Sequence, residues 1–310
     1  MIPNFLSKYL NTYSLQRLKG IGLFCGIDYC AFFKPDRFYS RYEHSLNVAL
    51  ITYYFTKDKK ATLAALFHDV STPVFSHVID FKNNDHLTQT STEKKNKEIL
   101  AQDQELLDYL AVDGITLDEV CDDHLYPIAN SHRPKLCADR LEYLFATGIY
   151  ITHSITKESA QYLFSNLTIV NNEIAFTDFS IAKEYFNAIL PVLKLYQEKR
   201  NILILQLLAD IIIQMNLDDR LLYTSSEQEI LELIESEPKV SHLYHIFKNQ
   251  TTIHFSTERK KEAYYVKQDV KVRYVDPLVN NQRLSSLDES VKKAIDSLIS
   301  RKNTVYSYVL

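Results

Sequence analysis

Two histidines and two aspartates, in three separate stretches, are the residues of this chain best suited to chemistry. His44, His68, Asp69 and Asp139 each lie among apolar neighbours in stretches with helical spacing. A buried, ionised carboxylate without a partner is very costly, so Asp69 and Asp139 are expected to lie near a cation. Imidazole and carboxylate ligands together suit a first-row divalent metal, with coordination positions left for water and substrate. Such a metal lowers the pKa of its water and supplies hydroxide near neutral pH.

Each of these residues also has an ordinary explanation when it is considered alone. A single histidine in a helix, such as His44, is more often a surface residue or a satisfied core residue than a ligand. The dipeptide His68-Asp69 occurs by chance in chains of this length, and Asp139 can form an ion pair with the neighbouring Arg140. The metal site is therefore predicted from the order, spacing and flanking residues of all four together.

The order and flanking residues of these positions resemble the HD-domain superfamily of metal-dependent phosphohydrolases. The resemblance covers about residues 14–148. A segment near the start of the chain and a segment after the His-Asp pair are similar to the deoxynucleoside triphosphate triphosphohydrolase branch of that superfamily. The matching segments are Leu15-Gln-Arg-Leu-Lys, Arg41-Tyr-Glu-His-Ser-Leu, Leu66-Phe-His-Asp-Val, Pro73-Val-Phe-Ser-His-Val-Ile-Asp and Asp139-Arg-Leu-Glu-Tyr-Leu.

The resemblance implies one divalent metal ion as cofactor. It assigns His44, His68, Asp69 and Asp139 as the four metal ligands. Fe, Mn, Zn, Co and Ni are the candidate metals, and Mg is an alternative to them. The residues themselves leave the identity of the metal open, because imidazole and carboxylate ligands suit several first-row ions.

Three further residues match substrate-binding positions of the branch. Arg41 and Arg140 correspond to residues that contact substrate phosphates, where the planar guanidinium fits the phosphate oxygens. Tyr143 corresponds to an aromatic residue that stacks beside the sugar. The expected partner is therefore a phosphorylated small molecule, with a nucleotide as the favoured candidate.

A catalytic pair of the branch matches His77 and Asp80, and their spacing supports this assignment independently. Residues i and i+3 lie on one face of a helix, so the Asp80 carboxylate can orient and charge the imidazole. His77 is then expected to protonate the leaving oxygen. His86 matches a further active-site histidine, although the usual following glutamate is absent. The ordinary alternatives are a capping or packing role for His77 and a plain loop position for His86.

Four positions depart from the pattern of the triphosphohydrolase branch. Thr72 replaces a second histidine, and Ser71 replaces the glycine before it. Leu23 stands where a glutamine near the sugar is common, and Thr147 stands where an acid commonly helps to hold the deoxyribose. Polar contacts of this kind carry much of the discrimination between substrates. The phosphohydrolase class is therefore predicted more firmly than a nucleoside triphosphate substrate.

The predicted function is hydrolysis of a nucleotide or another phosphate ester by metal-activated attack at phosphorus, with a deoxynucleoside triphosphate as one candidate substrate. The alternative is a nucleotide-binding regulatory or scaffold protein that retains the metal site without efficient catalysis. A diiron oxygenase of the HD type is a third interpretation, but it needs more His and Asp ligands than the motifs provide. Oligomers are common in the resembling branch, so a homo-oligomer is kept as a candidate assembly.

The composition excludes several other classes of protein. The net charge is −4 and no segment is strongly basic, which disfavours duplex nucleic acid as a partner. The most apolar run, residues 202–215, contains polar residues and is too short to span a bilayer. The N-terminus lacks the pattern of a signal peptide, and the four cysteines form no CxxC pair. A cytoplasmic protein with reduced thiols and no membrane partner is expected.

The predicted architecture is mainly α. An HD-domain helical bundle over residues 1–160 is followed by a helical C-terminal region, residues 161–310, that carries a few short β-strands. Five glycines and eight prolines give little turn punctuation, which favours long helices. Ser40 and Glu43 predict a capping box, and Asn171-Asn172 predicts a hairpin turn. Further predicted elements are helices at residues 75–81 and 93–110, strands within 264–275, and a terminal strand at 305–310.

Overall fold

The computed structural model describes residues 2–87, 95–259 and 263–309, and it is mainly α with a few short strands, as predicted. No helix in these ranges combines the length and the apolar character that a membrane span requires. The helices before residue 166 are α1 (Tyr13–Gln16), α2 (Arg41–Thr56), α3 (Lys59–Phe67), α4 (Val78–Lys82), α5 (Asn96–Leu100), α6 (Gln104–Val112), α7 (Ala138–Tyr150) and α8 (Lys157–Ser165). The later helices are α9 (Phe179–Leu195), α10 (Lys199–Met215), α11 (Asp219–Thr224), α12 (Glu227–Ser236), α13 (Ser241–Asn249), α14 (Leu284–Leu287) and α15 (Glu289–Ser300). The strands are β1 (Leu167–Val170), β2 (Glu173–Phe176), β3 (His254–Ser256), β4 (Tyr264–Val266), β5 (Leu278–Val279), β6 (Gln282–Arg283) and β7 (Tyr306–Val309).

Helix α2 begins at the predicted capping box. The Ser40 hydroxyl accepts from the Glu43 amide at 3.2 Å, and the Glu43 carboxylate accepts from the Ser40 amide at 3.1 Å. A tight turn at Lys57 and Asp58 then leads into α3, whose first amides are capped by the Asp58 side chain. Helix α2 packs against both α3 and α7. The three motifs that carry the predicted metal ligands therefore lie close together.

The helix predicted over residues 75–81 begins later in the structure. Phe75 and Ser76 adopt left-handed backbone conformations, with φ of 59° and 51°. A right-handed helix cannot include such residues, so α4 begins only at Val78. The turn places the Ser76 hydroxyl beside Arg41, whose Nε donates to it at 2.8 Å.

The helix predicted over residues 93–110 is divided in the described part of the chain. Helices α5 and α6 are separated at Asp103, whose side chain caps α6 by accepting from the Leu106 amide at 3.2 Å. The same carboxylate accepts from the Ser14 amide at 2.8 Å and so ties α6 to the N-terminal turn. Residues 93–94 lie outside the described residues.

The C-terminal region forms two small sheets. β1 and β2 pair antiparallel across Asn171 and Asn172, whose φ values are 52° and 57°, which confirms the predicted hairpin. The first sheet has the order β1-β2-β5-β6, with β2 and β5 parallel, and the second has the order β3-β7-β4. The predicted terminal strand is β7, except that Leu310 lies outside the described residues.

Only the first part of the predicted strand region 264–275 is a strand. β4 ends at Val266, and residues 267–277, here called the connecting segment, link β4 to β5 without helix or strand. The alternation of apolar and polar residues is typical of a strand, but no neighbouring ladder is present here. Main-chain groups of the segment bond to scattered partners instead, such as Lys271 N to His86 O at 3.1 Å. The strand prediction is therefore wrong for residues 267–275.

The two predicted regions pack closely against each other. Helix α10 packs against α4, and α9 packs against α7. Buried apolar side chains from both regions belong to one cluster. The border at residue 160 stays a prediction, but helices of the C-terminal region cover helices that carry predicted site residues.

Candidate metal centre and its cavity

Three of the four predicted metal ligands converge at one point. His44 Nε2 lies 3.2 Å from His68 Nε2 and 3.3 Å from Asp139 Oδ1, and His68 Nε2 lies 3.7 Å from Asp139 Oδ1. Ligand atoms about 2 Å from one first-row metal ion lie roughly 3–4 Å apart, so these distances fit a single ion. No other group of three or more His, Cys, Asp or Glu side chains meets at such spacing within the described ranges. A diiron oxygenase needs a larger ligand set than this cluster of three provides.

Asp69, the fourth predicted ligand, lies beside this cluster and is bound by Arg41. Its Oδ2 lies 3.7 Å from His44 Nε2 and 3.6 Å from His68 Nε2. The buried Arg41 donates to the same oxygen at 2.5 Å. Burial raises the pKa of Asp69, but Arg41 and the two imidazoles outweigh burial and hold it well below its usual range. Asp69 is therefore an anion at neutral pH, and its role as a ligand stays a prediction.

Glu142 orients His44 from the side opposite the metal position. Its Oε2 accepts from Nδ1 of His44, and its Oε1 accepts from the Tyr39 hydroxyl. The Asn47 amide donates to that hydroxyl at 2.8 Å and to Oε1 at 3.3 Å. A carboxylate on Nδ1 fixes the tautomer whose Nε2 is available to a metal, and it increases the basicity of that nitrogen.

A main-chain carbonyl orients His68 in the same way. Nδ1 of His68 donates to the Ala65 carbonyl at 2.7 Å, which leaves Nε2 facing the cluster. Burial lowers the pKa of His44, but the surrounding carboxylates, led by Glu142, raise it to about 10. A proton and a metal ion therefore compete for Nε2 of His44. Two oriented imidazoles beside ionised carboxylates are a donor set that fits a divalent cation.

His77 and Asp80 form the predicted pair, and a third residue joins them. Nδ1 of His77 donates to Oδ2 of the fully buried Asp80 at 2.8 Å. Arg273, from the connecting segment, donates through a terminal nitrogen to Nε2 of His77 at 3.0 Å. Because Nε2 accepts a hydrogen bond, the imidazole is neutral and carries its proton on Nδ1. Burial lowers the pKa of His77, and the nearby Arg273 lowers it as well. Asp80 raises this pKa, but it remains below the ordinary value of a histidine.

The metal cluster and His77 line one cavity of about 410 Å³. This volume is within the range of small-molecule sites. Arg41 and Tyr143 line it from the HD motifs, whereas Lys271 and Arg273 line it from the connecting segment. The cavity therefore has cationic side chains from both predicted regions around the metal position.

Besides the fully buried Asp80, which bonds to His77, two predicted site residues lie outside the lining of this cavity. The Arg140 guanidinium donates to the carbonyls of Ser131 and Lys135, the latter at 2.8 Å, and so braces the loop before α7. His86 packs against Phe81, with ring centroids 5.7 Å apart, and its carbonyl accepts from the connecting segment. The phosphate contact of Arg140 and the active-site role of His86 stay predictions, and the arrangement does not bring either residue to the cavity.

Three of the positions that depart from the triphosphohydrolase pattern face the cavity. They are Thr72, Leu23 and Thr147. The Thr72 hydroxyl donates to Oδ1 of Asp69 at 3.2 Å, and the Thr147 hydroxyl lies 3.2 Å from the Tyr196 hydroxyl. The side chains at the expected sugar positions are therefore apolar or already hydrogen-bonded within the protein.

Reasoning from the sequence missed Glu142, Lys271 and Arg273. Glu142 has a usable signal, because it follows Asp139 by three residues and so lies on the same face of α7. Lys271 and Arg273 have none, because they lie far along the chain in a stretch whose spacing suggests a strand. Their place at the cavity follows only from the folded path of the connecting segment.

Comparison with known proteins places part of this chain in a family. Residues 41–143 match the family model described as HD domain. The uncharacterized protein YdhJ of Bacillus subtilis is 25% identical over an alignment of 333 residues, which covers 100% of this chain and 96% of that protein. The metal-dependent phosphohydrolase cns2 of Cordyceps militaris is 29% identical over 162 residues, which cover 52% of this chain and 45% of that protein.

Two solved structures share the fold. A phosphohydrolase from Bacteroides thetaiotaomicron has a TM-score of 0.66 at 13% identity, with 99% of this chain and 96% of that chain covered. A hypothetical protein from Aquifex aeolicus has a TM-score of 0.62 at 15% identity, with 99% and 92% covered. At such low identities these likenesses concern the fold alone.

Residues 41–143 therefore match an HD domain, in agreement with the superfamily predicted from the motifs. The matches support the predicted class of enzyme, a metal-dependent hydrolase, with His44, His68 and Asp139 as the candidate metal site. The triphosphohydrolase branch is not confirmed by them.

Proposed function

We propose that this protein hydrolyses a phosphate ester of a small molecule with the help of one divalent metal ion. The observation that carries the proposal is that the metal cluster, the buried Arg41 and His77 line one cavity. The likeness to a relative named as a metal-dependent phosphohydrolase supports it. A metal held by His44, His68 and Asp139, with Asp69 as the predicted fourth ligand, supplies Lewis-acid chemistry at the phosphate.

The chain's own side chains provide binding and proton transfer around this centre. Arg41 presents a fixed positive charge, because Asp69 and Ser76 hold its guanidinium. A guanidinium suits phosphate oxygens and stabilises charge that develops on them. His77, oriented by Asp80, donates a proton to the leaving oxygen when its Nε2 carries one. These roles match the predicted assignments for Arg41, His77 and Asp80.

The proposed substrate is a nucleotide or another phosphate ester with an aromatic group. Tyr143 and Tyr196, with ring centroids 6.2 Å apart, form an aromatic wall of the cavity. Aromatic faces favour stacking with a base or packing with a sugar. Strict selection of deoxyribose is not expected, because Leu23 is apolar and Thr147 is paired with Tyr196. A deoxynucleoside triphosphate is one candidate within this class.

Elemental analysis paired with a substrate screen tests the proposal. The purified protein is expected to bind about one divalent ion and to release phosphate from one class of nucleotide or ester when Mn²⁺, Fe²⁺ or Co²⁺ is added. A double change, His68→Ala with Asp69→Ala, should remove both properties. The exposed pair His153 and Asp36 provides a matched control outside the cavity, and its double Ala variant should keep both. Full metal content in the first variant would show that the ligand assignment is wrong.

A second candidate is a nucleotide-binding regulatory or scaffold protein that retains the metal site without efficient catalysis. The observation that favours it is the hydrogen bond from Arg273 to Nε2 of His77, because that atom must carry the catalytic proton. The same screen separates the two candidates. Saturable nucleotide binding without metal-stimulated phosphate release would favour the regulator.

Three further predictions remain part of this proposal. The homo-oligomer is tested by the molar mass of the purified protein in solution. The border at residue 160 is tested by limited proteolysis, which should cut near it if the two regions are separate domains. The cytoplasmic location is tested by fractionation of cells that produce the protein.

A further inference from the structure

The connecting segment, residues 267–277, brings two cations to the cavity from outside the range that matches the HD-domain model. Main-chain hydrogen bonds fix it on both sides of Arg273. The Lys271 amide donates to a carbonyl of the loop after α4 at 3.1 Å, and the Asp276 amide donates to the Pro134 carbonyl at 3.0 Å. The position of this segment therefore does not depend on the Arg273 side chain alone.

The Arg273 guanidinium contacts an imidazole and an aromatic ring within the cavity. A terminal nitrogen donates to Nε2 of His77 at 3.0 Å, and the central carbon lies 5.6 Å from the ring centroid of Tyr196. The imidazole and the aromatic ring are both neutral groups. A guanidinium forms stronger, charge-assisted hydrogen bonds with phosphate oxygens than with a neutral imidazole. A phosphate that enters the cavity is therefore a better partner for Arg273 than His77 is.

The groups around His77 determine how its protonation changes if Arg273 moves from the imidazole to a phosphate. The charged and titratable groups around it are Asp80 on α4, Arg41 on α2, Arg273 and Cys25. Burial and the two arginines oppose a positive charge on the imidazole, and Asp80 favours one. When Arg273 leaves, one cation is removed and Nε2 is free, so a proton from water can be added there. His77 then carries the proton that its acid role requires.

We propose that Arg273 binds a phosphate group of the ligand and thereby releases Nε2 of His77 for protonation. Arg273 is then a phosphate-binding residue and also a positioning residue for His77. Lys271 lines the same cavity and adds positive charge for the same class of ligand, a phosphorylated small molecule. The inference rests on the proposed function, because it assigns roles within that site.

An NMR titration of the His77 imidazole tests the release. The full chain, loaded with diamagnetic Zn²⁺, is titrated with and without inorganic phosphate, and the His77 signal is assigned from a His77→Gln spectrum. In the wild-type protein phosphate should raise the pKa of His77 by about one unit or more. In Arg273→Gln the pKa should already be higher without phosphate and should change less when phosphate is added. Equal His77 pKa values in the two phosphate-free proteins would overturn the proposal.

Phosphate affinity and kinetics test the binding role. Arg273→Gln should bind inorganic phosphate about tenfold more weakly, since it loses a charge-assisted hydrogen bond. Arg273→Lys should recover part of the affinity, because an ammonium binds phosphate as a point charge without the fork. With a substrate from the screen, Arg273→Gln should raise KM, lower kcat and shift the pH profile of kcat. An unchanged phosphate affinity in Arg273→Gln would overturn the binding role.

A matched control and the independence of the assays complete the test. Arg220, exposed on α11, loses the same charge in Arg220→Gln, and this variant should match the wild type in every assay. Phosphate binding and the NMR titration need no turnover, so they support Arg273 even if no ester is hydrolysed. Conversely, metal-dependent hydrolysis with an unaltered His77 pKa in Arg273→Gln would sustain the proposed function and overturn the role of Arg273.

Discussion

In two pairs of carboxyl groups within this protein, the pKa values are shifted in opposite directions. Burial raises the pKa of Asp139, but the imidazoles of His44 and His68 outweigh burial and lower this pKa to about 2. Burial also raises the pKa of Asp69, but Arg41 and the same imidazoles hold it well below its usual range. At the second pair, burial raises the pKa of Asp28 to about 7 and that of Glu227 to about 8. The comparison shows that burial raises the pKa of an acid that has no cation beside it, and that neighbouring cations create the anions that attract a metal.

The second pair converges beside Gly22. A Cβ at this position would lie 2.9 Å from Oε2 of Glu227 and 3.2 Å from Oδ2 of Asp28. The partners of Glu227 include a neutral group, the Phe75 amide, which donates to it at 3.2 Å. Ionisation of both carboxyls in one small space would add repulsion to the cost of burial. This pair is therefore a structural element that needs no counterion while it is protonated.

The largest effect is expected from a substitution in the ionised pair, Asp69 and Asp139. Asp139→Asn replaces an anionic ligand by a neutral amide, so metal content should fall to near zero and phosphate release to background. Glu227→Gln is the matched control, because an amide resembles a protonated carboxyl in shape and charge, and it should retain the metal. Elemental analysis of both proteins measures this. Metal loss in Glu227→Gln as well would contradict the proposed difference between the pairs.

A smaller effect is expected from a substitution of Glu142, the carboxylate that bonds to His44 on the side away from the metal position. Glu142→Gln removes the anion that orients His44 and increases its basicity, so metal affinity should weaken by about 10–100-fold. Calorimetric titration of the metal-free protein with Zn²⁺ measures the change. An affinity equal to that of the wild type would mean that Tyr39 and Asn47 suffice to hold this region of the site.

A moderate loss of stability is expected from a substitution at Gly22, because the carboxyls of Asp28 and Glu227 leave little room for a side chain there. Gly22→Ala places a methyl group against both carboxyls, and it should lower the free energy of unfolding by about 1–3 kcal/mol. Urea unfolding compares the variant with the wild type. Metal content should stay unchanged, since the change lies outside the cluster. Equal stability of the two proteins would show that the carboxyls do not occupy this space.

A further effect is expected in the pH dependence of stability. An acid whose pKa is raised in the folded state binds its proton more tightly there than in the unfolded chain. For Glu227 this stabilisation is complete below its ordinary pKa of 4.5 and is lost as the pH rises toward 8. The free energy of unfolding should therefore decline over this range, and it should decline less in Glu227→Gln. Unfolding curves at several pH values measure the slope, and identical slopes would refute the prediction.

The sequence predicts well those features whose determinants are local. The cap at Ser40 and the turn at Asn171-Asn172 depend on neighbouring side chains, and both are present. The three HD motifs have a fixed order and spacing, so they predict which helices must meet at the metal cluster. The raised pKa values of the second pair have no such signal, because Asp28 and Glu227 are about 200 residues apart and only folding brings them together.

Two other features could not be predicted, because tertiary contacts decide them. The left-handed turn at Phe75 and Ser76 delays α4 within a stretch that has helical spacing. The connecting segment has the alternation of a strand, but anchors such as Pro134 determine its path. Arg273 reaches the cavity only because of that path.

The cavity extends beyond the part of the chain that matches the HD-domain model. That match ends at residue 143, whereas residues 195–205 and 270–273 complete the walls. Substitutions at residues 195–205 and 270–273 can alter which molecule enters the cavity while the metal ligands stay unchanged. Relatives with the same ion can in this way diverge in specificity, since part of the cavity wall lies on stretches of the polypeptide that carry none of the metal ligands.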